Sequence, residues 1–525
     1  MQLEILIGLV VLSAIFLFEG LRLYKKASTV DEFFLYGGKL KLTPFVGSLV
    51  AANISLGNFI FLCAIWGYSY GLSGMLWISV CLALLPVAFF IFGPYFKTYI
   101  EDRANTGTIH EYLSNSFSRF KGDPVAKNVR LTASLATIIC LLLAIVVEIH
   151  LAATILAPTL NINLGLAFVV LIVLIGFCTA LSGYRSVILT DVIQAILLLI
   201  SLAILVLIVV RLNLPWLPYS KAYNSGIQNC FWDTGWHNII SIVVIGFGWL
   251  LVTMDSWQRT SASRSINLSK KGAVIGTAIL IGFVIFYSGL GLYDRLAILP
   301  SLSQEQVGQH SQGLNPITDF FLLAGKTDLT TRILFGFTTL AFIMAALSTA
   351  NTFLNVCAHS LVSDVMIGVK KRASFGDLTE TEKEAFANIG RAVTIGMCLF
   401  VMGIWMLFAR LGLLNDPITL FFVAYSVQFS LLVPVMYSVK KTKDHPGSAL
   451  VSIWAGIIAS LVCGLKSAIV LQTVAPGAQM PSFLRLTVDQ WLALTPLVTI
   501  GAGLIASWLS KAAFRWVPRW QTKQL

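Results

Sequence analysis

The chain has 525 residues, of which 57% are hydrophobic and 11% charged, with a formal net charge of +12 and a mean hydropathy of +0.84. A soluble domain carries about a quarter charged residues. This composition therefore excludes a soluble fold and describes an all-α polytopic membrane protein with little mass outside the bilayer. There is no HExxH, P-loop or GxSxG pattern, and the eight cysteines form no CxxC pair, so nothing supports an enzyme, a bound cofactor or a disulfide framework.

In chain order, apolar spans are predicted at about 3–24, 42–70, 73–96, 131–158, 163–183, 187–210, 238–256, 272–293, 333–366, 392–412, 415–438, 448–472 and 488–510. The first is short in its uncharged part, and its start, Met1-Gln2-Leu3-Glu4, lacks the basic stretch of a signal peptide. Placing the N-terminus outside and the C-terminus inside puts most lysines and arginines on the inner connections, among them Lys25, Lys26, Lys97, Arg130, Arg264, Lys370 and Arg391. The positive charge is this rim, not a nucleic-acid surface. The segment 108–117 suits an amphipathic helix on the inner face and 313–321 its outer counterpart, both as structural covers. Cys230 is the one cysteine expected in an outer loop.

Two spans contain interruptions. Asn53, Ser55, Gly57 and Asn58 lie near the middle of 42–70, where they weaken a helix. Gly246-Phe247-Gly248-Trp249 does the same in 238–256, or else allows close helix packing. These spans are five apart and run in opposite directions. Interrupted helices at matching places of inverted halves point to a transporter's binding site. The implied division is a peripheral helix and loop over 1–40, a first repeat over 41–237, a second over 238–440 and two further peripheral helices over 441–525.

The stretch 345–352, Ala-Ala-Leu-Ser-Thr-Ala-Asn-Thr, puts four polar side chains inside a long apolar span. At helical spacing Ala345, Ser348, Thr349 and Thr352 share one face. Hydroxyls and carbonyls without a fixed carboxylate suit a monovalent hard cation such as sodium. The alternative is hydroxyl glue between packed helices.

Several motifs, in order, resemble the sodium:solute symporter family. Residues 183–194, Gly-Tyr-Arg-Ser-Val-Ile-Leu-Thr-Asp-Val-Ile-Gln, are similar to its signature, with Leu189 where Trp is usual. Asp31-Glu-Phe-Phe-Leu-Tyr-Gly-Gly38 resembles its lead-in to the first core helix, Ala51-Ala-Asn-Ile-Ser55 its sugar-transporting branch, 345–349 its eighth core helix and Trp257-Gln258-Arg259 its sixth. With the thirteen apolar spans above, the resemblance implies a LeuT-like five-plus-five inverted repeat and alternating access. It implies a sodium site from the carbonyls of Ala51, Ile54 and Ala345 with the hydroxyls of Ser348 and Thr349. For Asp191 it implies help in sodium release, or a second cation or proton site with Ser348, Asn351 and Thr352. The plainer role for Asp191 is pairing with Arg185.

Candidate solute ligands are Asn53, Ser55 and Asn58 on the first core helix, Trp249 and Thr253 on the sixth, and Glu148 on the third. A carboxylate inside an apolar span is a functional candidate. Glu148 either meets an amine of the solute, carries a proton, or is structural, paired with His150. His359 is expected in packing, and Asp255 paired with Arg259. The expectation is a sodium-coupled importer of a small polar organic solute, an amine-bearing compound slightly favoured, multi-pass in a cell inner (plasma) membrane. The partners are sodium, the solute and lipid, with no cofactor beyond the coupling ion. Proton coupling is the first alternative. A transporter-like sensor is the second, weighed down by a tail after 510 too short for a signalling domain.

Overall fold

The computed structural model describes residues 2–120, 122–219, 234–301, 317, 320, 328–371, 373–415, 417–439, 445–473 and 488–516. Cys230 and most of the segment 313–321 lie outside the described residues. Among the described residues the chain is helical apart from one isolated bridge, Leu40 to Ser263.

Helix α1 (Gln2–Leu23) is followed by the short α2 (Val30–Leu35) and by α3 (Leu42–Asn53). α4 (Leu62–Glu101) would be about 60 Å long if straight, about twice the hydrocarbon core. Gly71 (φ 57, ψ −132) turns the chain inside it. Beyond the turn, a Cβ on Gly74 would lie 2.6 Å from the Trp66 carbonyl, so the two limbs stand against each other. Eleven described helices are long and apolar enough to cross a membrane, or twelve with one bent pair counted as a span. Leu42–Asn53 is a shorter apolar helix beside these.

α5 (Ile109–Phe117) begins where the Thr108 hydroxyl accepts from the Glu111 N–H. It is not a helix lying on the lipid surface: His110, Glu111 and Leu113 are buried beneath the bundle. α6 (Pro124–Leu160) starts at an Asp123 cap with Pro124 in the first turn, and Asn161 in the left-handed region ends it. α7 (Leu164–Ser182) meets α8 (Tyr184–Leu212) at Gly183 (φ 56), where a Cβ would press on the Phe33 carbonyl at 2.4 Å.

α9 (Trp236–Val252) and α10 (Met254–Ala262) form the bent pair, at 47°. α11 (Ile266–Tyr293) packs closely on α4, with Gly67 against Ser288 and Gly291 against Ala64. α12 (Leu329–His359) continues as a π-helical stretch, Ser360–Lys371. α13 (Glu380–Arg410), opened by a Thr379–Glu382 capping box, lies at the rim. α14 (Pro417–Gln428), α15 (Leu432–Val439), α16 (Pro446–Thr473) and α17 (Val488–Trp516) complete the bundle. α12 lies at its centre: it packs on α6, α8, α3 and α7, and every residue from Ala341 to Ser360 is buried. A helix surrounded on all sides in this way can hold hydroxyls only because protein, not lipid, meets them.

Candidate functional site

The site grows from two breaks. α3 ends at Ile54 (φ −84, ψ 73), Ser55 lies outside any helix, and Leu56–Phe61 resume as a π turn. An opening of this kind frees carbonyls at the end of one half and N–H groups at the start of the next. Neither can remain unanswered away from water.

The N–H groups are answered by Glu148. It is fully buried, with Oε2 accepting from Leu56 N at 2.9 Å and Oε1 from Gly57 N at 3.3 Å. Expected among the solute ligands, the carboxyl group is held on the backbone of the broken helix and is not among the described residues that line the cavity below. Nor does it pair with His150, whose Nδ1 accepts from Trp405 Nε1 at 3.3 Å.

On the carbonyl side, α12 brings Thr349 to the break. Its hydroxyl lies 3.3 Å from the carbonyls of both Ala52 and Ala345. Ala51, Ile54 and Ala345 are fully buried around it. Thus the unwound end of α3 and the hydroxyl face of α12, 290 residues apart and more, meet. Ser348 points to the neighbouring group: it donates to Asp191 Oδ1 at 2.7 Å, while Ser48 of α3 donates to Oδ2 at 2.7 Å. Thr352 lies one turn further along α12, also buried. Asn351, expected with Asp191, is engaged elsewhere. Its Oδ1 accepts from Thr179, and its Nδ2 donates to Thr190 at 3.4 Å. Asp191 does not pair with Arg185, which meets Glu32 with Nε at 3.0 Å.

The second break lies at Thr253 (φ −82, ψ 127), not at Gly246–Trp249. The glycines are helical, and their bareness serves packing: a Cβ on Gly246 would lie 2.3 Å from the Cys81 carbonyl, and one on Gly248 2.7 Å from the Phe429 ring. At Thr253 the freed carbonyls receive side-chain donors, Gln428 Nε2 to Val252 O at 2.5 Å and Trp257 Nε1 to Leu251 O at 3.0 Å. The Thr253 hydroxyl itself donates to Ser256 at 2.9 Å.

Between the breaks lies a cavity of about 130 Å³, bounded by both limbs of α4, the first half of the bent pair and α14. Of the expected solute ligands it brings together Asn53 and Trp249. Ser55 and Thr253 are buried but do not line it, and the side chain of Asn58 lies outside the described residues. Asn53 Nδ2 donates to its own helix at Leu49 O, 2.7 Å. Trp249 stands edge-on to Tyr425, ring centres 4.6 Å apart.

Below the breaks, at the end that carries the basic connections, the bundle is closed. Asp364 accepts from Thr108, His110 and Arg130 at 2.7–2.8 Å, and His110 Nε2 reaches Thr137 at 2.9 Å. Gln258 Nε2 donates to Phe34 O and Asn355 Oδ1, both at 2.8 Å. Asp255 and Arg259 pair at 3.5 Å, as the spacing predicts. His359 stacks on Phe34 and reaches Thr106 O at 2.9 Å, a packing role. Arg103 ties the loop to Ser263 O at 2.6 Å, and burial pulls its guanidinium below its usual value.

Sequence reasoning missed Ser48, Gln428 and the Arg130–Asp364 pair. Charged residues near span ends were the available signal for that pair; for the other two, only their partners reveal a role.

Two broken helices crossing mid-bundle around a cavity, with an oxygen-lined niche beside one break, define a LeuT-like transporter fold. Residues 33–456 match the sodium:solute symporter family, and the chain belongs to it, a family of transporters rather than enzymes. The sodium/sialic acid symporter SiaT of Proteus mirabilis (strain HI4320) is 23% identical over 500 residues, 89% of this chain and 94% of that protein. Solute carrier family 5 member 4A of Mus musculus is 33% identical over 179 residues, 34% of this chain; the match spans a quarter (25%) of that relative's length. The solved substrate-bound, outward-open structure of a Na+-coupled sialic acid symporter shares the fold, with a TM-score of 0.69 at 20% identity over 96% of this chain and 97% of that one.

Proposed function

We propose that the chain is a sodium-coupled secondary active symporter that imports a small polar organic solute by alternating access. The observation that carries this reading is the Thr349 hydroxyl between the Ala52 and Ala345 carbonyls at the unwound end of α3. These are hard, neutral oxygens in a buried niche, the donor set that suits a monovalent cation. The proposed sodium ligands are Ala51, Ile54, Ala345, Ser348 and Thr349. Asp191 with Ser348 and Thr352 is a second cation or proton position. The repeats are assigned to 41–237 and 238–440. The protein is placed in the cell inner (plasma) membrane with the N-terminus outside, so the closed basic end faces the cytoplasm and the cavity the outside.

One sodium ion moving through 100 mV contributes about 2.3 kcal/mol, enough for roughly fifty-fold accumulation of a neutral solute. The amine preference rested on a carboxylate facing the solute, and the seat of Glu148 on Leu56 and Gly57 removes that support.

Thermal stability of the purified protein, titrated with sodium at constant ionic strength, tests the reading. Saturable stabilisation by sodium over potassium, lost in Ser348→Ala and Thr349→Ala, is expected. A second reading, proton coupling at Asp191, is favoured by its burial between two serine hydroxyls. Solute uptake into sealed vesicles under a proton gradient without sodium would establish it and displace sodium coupling.

A further inference from the structure

In a broken-helix transporter, the start of the second half-helix is where an anionic group of the solute is held, by free N–H groups and the positive end of the helix dipole. In this chain that place is taken. Both oxygens of Glu148 accept N–H bonds there, from Leu56 and Gly57. The other half-helix start, after Thr253, carries its own acid, Asp255, in the first turn. The amides of Leu56 and Gly57 are thus not left to a carboxylate from outside.

The cavity supplies no substitute. Among the described residues its lining is apolar and aromatic apart from a few neutral polar groups, with no arginine, lysine or histidine and no acid. Asn53 has its amide nitrogen engaged with Leu49 O, which leaves its carbonyl, an acceptor, toward a solute. A carboxylate entering here would lose its water and find no cation among the described lining residues. An ammonium group would lose its water without an acid in the lining to meet it.

Resting on the symport reading, we infer that Glu148 is a specificity determinant that supplies from the protein the anion of the broken helix, so that the transported class is uncharged polar solutes. In this respect the chain differs from relatives named for a sugar acid. Glu148 acts through the backbone it holds: it sets the charge the cavity tolerates and the geometry of residues 54–57, without touching the solute.

The test uses the full chain in proteoliposomes and reads sodium-dependent current and uptake for three pools. The first is neutral (glucose, myo-inositol, mannitol), the second carboxylate (glucuronate, N-acetylneuraminate, lactate) and the third amine (glucosamine, choline). The neutral pool is expected to lead the carboxylate pool by at least about tenfold, and Glu148→Gln, which removes the charge but keeps the shape, to narrow that ratio about tenfold. A lead by the carboxylate or the amine pool overturns the inference while leaving sodium symport standing. Loss of sodium-specific stabilisation in the thermal titration strikes the symport reading instead, so the two failures are separable. Should Glu148→Gln fail to fold, the ranking of the pools in the unmodified protein decides the matter alone.

Discussion

At the break in the first core helix the amides of the outgoing half are held by one carboxyl group from α6, while the Ala52 carbonyl meets the Thr349 hydroxyl. At the break in the sixth the carbonyls of the incoming half are held by Gln428 from α14 and by Trp257 from just beyond the bend. The partner's chemistry follows the group exposed: an acid for N–H, an amide, indole or hydroxyl donor for C=O. The consequences differ too. A carboxyl group is fixed on the backbone of the first break, whereas the donors at the second are a neutral amide and an indole, and the acid there, Asp255, pairs with Arg259. On the inference drawn above, the first break is the charge-sensing part of the site and the second a bend beside the cavity.

Removing the acid should do most to destroy this contrast. Glu148→Ala leaves two buried N–H groups unpaired and is expected to cost on the order of 2–4 kcal/mol in unfolding free energy, read by denaturant titration in detergent. Next comes Gly246→Ala, whose methyl would enter the 2.3 Å gap to the Cys81 carbonyl. A loss of about 1–3 kcal/mol in the same titration would mark the glycine as a packing device, and tolerance would return the break to it. Gln428→Ala removes a single neutral donor at Val252 and should cost about 1–2 kcal/mol, less than Glu148→Ala. If the order of these two were reversed, the second break would be the stiffer one. Thr253→Ala, which loses only the bond to Ser256, should stay under about 1 kcal/mol and act on transport rate more than on stability.

The different legibility of the two breaks has a physical cause. Asn53, Ser55 and Gly57 announce the first because polar and flexible residues in mid-span have no other reason to be there. Thr253 announces nothing: threonine is common in helices, and its neighbours Val252 and Met254 are apolar, so the eye falls on Gly246 and Gly248, which are close-packing residues. The hydroxyl face of α12 was legible from spacing alone, because residues three and four apart share a face. Glu148 was legible as an important acid, but its meaning was not, since its partners are backbone amides 91 and 92 residues away.

Composition and periodicity therefore settle the class, the polar face of α12 and the presence of a break near residue 55, because each depends on neighbours along the chain and on the cost of polarity in lipid. Packing alone decides where the sixth core helix bends, that Ser348 and Asn351 face different partners although three residues apart, and that Glu148 holds the backbone rather than the solute. Those outcomes depend on which helix stands beside which, and no local pattern along one helix encodes its neighbours.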